Sequence, residues 1–137
     1  MSNATGFEDA QDQIRRLWSD SWSGTPLAIQ ENNKYEPDPT IDHVLFAVRE
    51  TGSLQITSGR IGYRRWRILG QVVVMIYGKL DVGAGKVREY ADSAAAIFRG
   101  IRLNNICFGA PKVVPVGRDV ANYRINVMVP FQFDIIA

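Results

Sequence analysis

The segment 121–136, ANYRINVMVPFQFDII, alternates between two residue classes with a period of two. Tyr123, Ile125, Val127, Val129, Phe131 and Phe133 fall on one side, and Arg124, Asn126, Met128, Gln132 and Asp134 on the other. A β-strand sends successive side chains to opposite faces, and so long a split is expected where one face is buried. The chain must therefore build a sheet with one buried face and find a layer to cover it. Pro130 has no N–H for a ladder, so this strand is expected to lie at an edge or to be bulged there.

Other segments supply more sheet. DHVLFAVRE (42–50) alternates Val44, Phe46 and Val48 onto one face, and GSLQITSG (52–59) could return against it across Thr51-Gly52. YRRWRILGQVVVMIYG (63–78) is the longest strand pattern, with Trp66, Ile68, Val72, Val74 and Ile76 expected in the core. Arg65, Arg67, Gln71 and Tyr77 take the opposite face. Leu27–Gln30, NICFG and PKVVPVG read as shorter strands.

Two helices supply the cover. TGFEDAQDQIRRLWSDSW (5–22) places Phe7, Ala10, Ile14, Leu17 and Trp18 at three- and four-residue steps. Thr5 and Glu8 have the spacing of a capping box, and Gly24-Thr25-Pro26 is expected to end the helix. GAGKVREYADSAAAIFRG (83–100) buries Val87, Tyr90, Ala91, Ala94, Ile97 and Phe98, with Gly100 where a C-terminal glycine cap belongs. The expectation is an α+β fold: a single mainly antiparallel (mixed) sheet with two helices packed on one face. At 137 residues without an internal boundary, residues 1–137 read as one domain.

Net charge is +2, unevenly spread. Residues 1–50 hold nine acids and four bases, and residues 51–137 five acids and twelve bases, giving −5 and +7. Such polarity suits head-to-tail association of copies or contact with a charged partner. No apolar run approaches the ~18 residues of a membrane helix, so no membrane partner is expected. The first residues show no basic region leading into an apolar stretch, and no secretory signal is expected.

Chemistry is sparse. GKLDVGAGKV (78–87) imitates a phosphate loop, but Leu80 stands where the first glycine belongs and Val87 where Ser or Thr belongs. His43 is the sole histidine and Cys107 the sole cysteine, so Cys/His zinc sites fail by count, and no disulfide can close within the chain. Neither residue has a catalytic motif around it; no metal, cofactor or enzymatic role is expected. What remains is GRIGYRRWR (59–67), with Arg60, Arg64, Arg65 and Arg67 interleaved with Tyr63 and Trp66. Arginine with aromatic rings fits a phosphate-contacting, stacking surface, but it is also the signature of protein–protein hot spots, and nothing else in the chain supports base recognition. The acids Glu31, Glu36 and Asp38 gather in a proline-rich stretch and read as solvated loop carboxylates.

Taken in order, FEDAQDQIRRLW, PLAIQENNKYEPDP, HVLFAVRE, GYRRWRILGQVVVMIYG, AAAIFRG and YRINVMVPFQFD carry a resemblance over nearly the whole chain, Phe7 to Asp134. The series resembles the small tail terminator (tail completion) proteins of long-tailed bacteriophages and related prophages. Its most distinctive pieces are Tyr63-Arg64-Arg65 before a strand reaching Ile76-Tyr77, Ala96 to Gly100, and Val129 to Asp134. The resemblance implies a structural role in the virion tail, assembled in the host cytoplasm. Copies of the chain, commonly six, would form a ring that caps the tail tube, stops its polymerisation and offers a head-joining surface. The implied partners are the chain itself, the tail tube protein and a head–tail connector protein, with transient DNA contact in the ring's lumen as a further expectation. A ring needs two different patches on each copy. Arg60, Tyr63, Arg64, Arg65 and Arg67 are the candidates for one side, and Glu31, Glu36 and Asp38 for the other. The competing readings are a non-specific nucleic-acid-binding module using residues 60–67, or another neck component.

Overall fold

The computed structural model describes residues 3–22, 27–30, 42–79, 84–118 and 122–137. Two helices, α1 (Phe7–Ser21) and α2 (Ala84–Phe98), accompany seven strands. These are β1 (Leu27–Gln30), β2 (His43–Gln55), β3 (Arg65–Lys79), β4 (Arg102–Leu103), β5 (Ile106–Phe108), β6 (Lys112–Arg118) and β7 (Asn122–Ile136). They form one sheet in the order β1-β2-β3-β7-β5-β4, with β6 also on β7. Every pairing is antiparallel except β1 with β2, so the sheet is mixed. The α+β expectation holds.

The long strands sit in register so that their apolar rows coincide. Val44↔Ile76, Phe46↔Val74 and Val48↔Val72 pair across β2 and β3; Val72↔Val129, Val74↔Val127 and Ile76↔Ile125 pair across β3 and β7. All of these side chains are buried. A one-residue slip would turn the whole row to the other face, so burial selects this register. The helices lie on that row. Ala10, Ile14 and Trp18 of α1 and Val87, Ala91, Ala94 and Phe98 of α2 are buried against it, with Trp18 stacked on Phe46 at 4.9 Å between ring centroids. Gly78 lets α2 approach, since a Cβ there would stand 2.2 Å from Val87 Cγ2. Gly100, at φ +71°, follows α2 in the left-handed conformation of a glycine cap.

Several local readings are corrected. GSLQITSG does not turn back at Thr51-Gly52; β2 runs on to Gln55, with a bulge between Glu50 and Gly52 that absorbs the extra residue. The first helix starts one residue later than its capping box requires: Gly6 is the N-cap without a side-chain bond, and Thr5 N–H donates to Asp9 Oδ2 at 3.1 Å. It ends at Ser21 with Trp22 as C-cap; the expected terminator Gly24-Thr25-Pro26 lies outside the described residues. Trp66 is only half-buried and outside the core, because it pairs with Ile135 near the far end of the sheet, and its indole donates to the Ala137 carbonyl at 3.3 Å. Pro130 is neither at an edge strand nor in a bulge, for β7 is paired on both sides. Its carbonyl accepts from Gly109 N–H at 2.7 Å, so its nitrogen points to the same side, away from β3. There it faces the gap between β6 and β5, where no ladder bond is lost.

Candidate functional site

Past the bulge, β2 and β3 continue as a ribbon whose outer strand is exposed at nearly every residue. Gln55 pairs with Trp66, Ile56 N–H donates to the Arg65 carbonyl at 2.8 Å, and Arg65 N–H donates to Thr57 Oγ1 at 2.8 Å. The tip is a turn closed by Tyr63 N–H to the Arg60 carbonyl at 3.1 Å. Gly62, at φ +92°, occupies the turn's third position, where a side chain would strain the backbone. The chemistry of GRIGYRRWR is thus presented on a hairpin tip.

The four arginines separate into two pairs. Arg60 lies 4.7 Å over the Tyr63 ring, and Arg64 Nε donates to the Gly59 carbonyl at 2.9 Å. Neither has a carboxylate partner among the described residues. Arg65 and Arg67 share a face, as alternation requires, but meet Asp134 of β7 there. Arg67 is its direct cross-strand partner and grips it through two nitrogens, at 2.9 and 3.2 Å, while Arg65 Nη1 stands 3.7 Å away. The hydrogen bond from Arg67 holds the Asp134 carboxyl below its ordinary pKa, and the same bond raises that of Arg67. Side chains of both are about a third exposed, so water screens much of the attraction. Arg65 and Arg67 are therefore partly neutralised within the chain; Arg60 and Arg64 are left for a partner.

Apolar side chains accompany them. Ile61 is 84% and Tyr63 69% exposed, with Leu54 and Ile56 exposed on the outer strand. Sequence reasoning singled out the charges and passed over Ile61, although an isoleucine beside a turn glycine is a readable signal. In the sequence Asp134 is legible only as a polar position, because its partner lies 67 residues away. The expected acidic counterpart, Glu31, Glu36 and Asp38, lies outside the described residues.

The sole histidine and the sole cysteine both lie on the sheet. His43 is buried and stacked on Tyr77 at 4.6 Å, and Cys107 is half-buried on β5. Among the described residues no three His, Cys, Asp or Glu side chains gather as a metal site, and no helix is long and apolar enough to cross a membrane.

Fold and hairpin together define a single-sheet α+β domain with a projecting arginine-rich arm. No family model and no curated protein matches the chain. Among 22 matching solved chains, one is similar at 17% identity with a TM-score of 0.58, over 90% of this chain and 94% of its own. At that identity it speaks for the fold alone.

Proposed function

We propose that the chain is a structural subunit of a closed ring that caps a phage tail tube, ends its growth and presents a surface to the head. The observation that supports this reading is the hairpin tip. Exposed apolar side chains gathered beside arginines mark a surface built to be covered by protein, whereas singly scattered ones do not. The tip lies beyond the helices, so its own core cannot cover it. It would meet the neighbouring subunit or the tube end, with Arg60 and Arg64 supplying the polar contacts. The ordered resemblance of Phe7 to Asp134 to tail terminators supplies the assembly.

The test is light scattering and negative-stain microscopy of the protein with and without purified tail tubes. Closed rings, or caps on tube ends, are expected. Ile61→Asp with Tyr63→Ala should leave the melting temperature unchanged and abolish both. A variant that still forms caps would refute the role of the hairpin; open filaments from the native chain would favour a tube subunit instead.

A further inference from the structure

A sheet that does not close on itself leaves edges, each a row of N–H and C=O groups open to another strand. Most edges of this sheet are blunted. β4 is two residues long and β1 four, and short edges deter pairing. β6 carries Pro115 and a bulge at Gly117, where φ is +102°. Pro130 of β7 points away from β3, so by alternation Asn126 and Met128 do too, and they bond Val114 and Lys112 of β6. The Pro115 nitrogen therefore stands on the outer edge of β6, where it offers no donor.

β2 is the exception. Its first half is covered, since β1 pairs with His43 to Phe46 and the Val48 carbonyl accepts from Gln11 Nε2 of α1 at 3.2 Å. Beyond the bulge, Ile56 N–H donates to the Arg65 carbonyl, so by alternation Ile56, Leu54 and Gly52 bond inward to β3. Ser53 and Gln55 then turn their backbone N–H and C=O outward, and no described residue meets those groups. Between Ser53 and Thr57 there is no charge, proline or bulge to deter a further strand. Leu54 and Ile56, on the face of Arg65 and Arg67 away from the helices, are 53% and 41% exposed.

We infer that this edge pairs with the same edge of a second copy, antiparallel about a two-fold axis at Leu54. The segment is self-complementary in that register. Ser53 of each copy comes opposite Gln55 of the other, and the two can exchange the backbone hydrogen bonds that both hold free. On the face away from the helices, Leu54 meets Leu54 at the close, non-hydrogen-bonded position. Each Ile56 there stands over the other copy's Gly52, which has no side chain to crowd it. On the opposite face polar Ser53 meets polar Gln55. Arg67, one strand in from Leu54, would lie three strand spacings or ~14 Å from its copy, beyond the reach of exposed charges in ordinary salt. Centring the pair on Gln55 instead would set Ser53 against Thr57. The Thr57 N–H and carbonyl are already engaged, by the Arg65 carbonyl and Gln55 Nε2. The contact goes beyond the ring reading and does not need it, because a two-fold contact closes at two copies whereas a ring needs two different patches. It leaves Ile61 and Tyr63 at the tip untouched.

The experiment is cysteine cross-linking under mild oxidation in a Cys107→Ser background, read on non-reducing gels. Leu54→Cys should give a covalent dimer, because Cα atoms of a non-hydrogen-bonded pair lie ~4.5 Å apart, within the ~4.4–6.8 Å that a disulfide spans. Ser53→Cys, also exposed, should not, since its copy stands two residues off across the pair. Light scattering of the Ile61→Asp/Tyr63→Ala chain, which the ring reading expects to cap nothing, should show the mass doubling as concentration rises. A contact this small belongs with weak interfaces under ~1,200 Å², so dilution should reverse it. Leu54→Lys sets two ammonium groups side by side and should stay monomeric with an unchanged melting temperature. Amide exchange at Ser53 and Gln55 should slow over the same concentration range. The inference is overturned by a tip variant that stays monomeric, by a Leu54→Lys dimer, or by cross-links at Ser53→Cys or Gln55→Cys as strong as at Leu54→Cys. Protection of Ser53 and Gln55 only when tail tubes are added would also overturn it and assign the edge to the tube protein. A tip variant that dimerises but still caps tubes would count against the ring reading's hairpin and leave this pairing standing.

Discussion

Gly70 and Phe131 face each other across β3 and β7, and the phenyl ring lies over the glycine. A Cβ at position 70 would stand 2.2 Å from Phe131 Cζ and under 3 Å from both Cε atoms. The ring has little room to retreat, being 3% exposed and flanked by Phe7 at 6.4 Å and Phe108 at 6.2 Å. Gly70→Ala gains up to ~1 kcal/mol of strand propensity but overpacks the core at a cost of ~1–3 kcal/mol. A net loss of about 1.5 kcal/mol is expected. For 137 residues the unfolding entropy is ~0.29 kcal/mol/K, so the melting temperature should fall by ~5 °C. Leucine at 131 lacks the three atoms that clash. In a Phe131→Leu background the same alanine should therefore be neutral or stabilising by ~0.5 kcal/mol. Urea denaturation of the four proteins in this cycle should give a coupling of about 2 kcal/mol. Additive effects, or a Gly70→Ala protein as stable as the native one, would show that the ring does not need the glycine.

Gly78→Ala should destabilise by ~1–3 kcal/mol through Val87, which a Cβ would meet at 2.2 Å, and Val87→Ala should relieve much of it in thermal melts. Asp134 has its pKa lowered by Arg67, so its contribution is present above the unfolded carboxyl value near ~3.9 and is lost as pH falls through the folded value. Urea midpoints measured between neutral pH and acid should fall less steeply for Asp134→Asn than for the native chain. Ile61→Ser touches no packed neighbour and should change stability by less than ~0.5 kcal/mol, as read by the same melts.

The elements themselves were largely legible in the sequence, because their signals are local. The alternation of Tyr123 to Phe133 became β7, the Val87-to-Phe98 stripe became the buried side of α2, and Gly100 closed that helix. Local signals failed where two structures share one signature. Thr51-Gly52 reads as a turn, yet it is a bulge, since only pairing with β3 tells whether the chain reverses. Trp66 has the parity of a core residue, but parity says nothing of how far along the strand the helices reach.

For function, the sequence by itself determined which residues carry charge, which parity each has on its strand, and that the two halves are oppositely charged. Tertiary structure decided which charges meet. Arg67 finds Asp134 through a register spanning 67 positions, and the same pairing leaves Arg60 and Arg64 alone at the tip. It also decided that cations from five strands, Arg49 of β2, Arg67 of β3, Arg102 of β4, Lys112 of β6 and Arg124 of β7, share one face of the sheet. Period and composition act between neighbours in the chain, whereas a charged surface is made by strand order and register, which are set by burial of the opposite face.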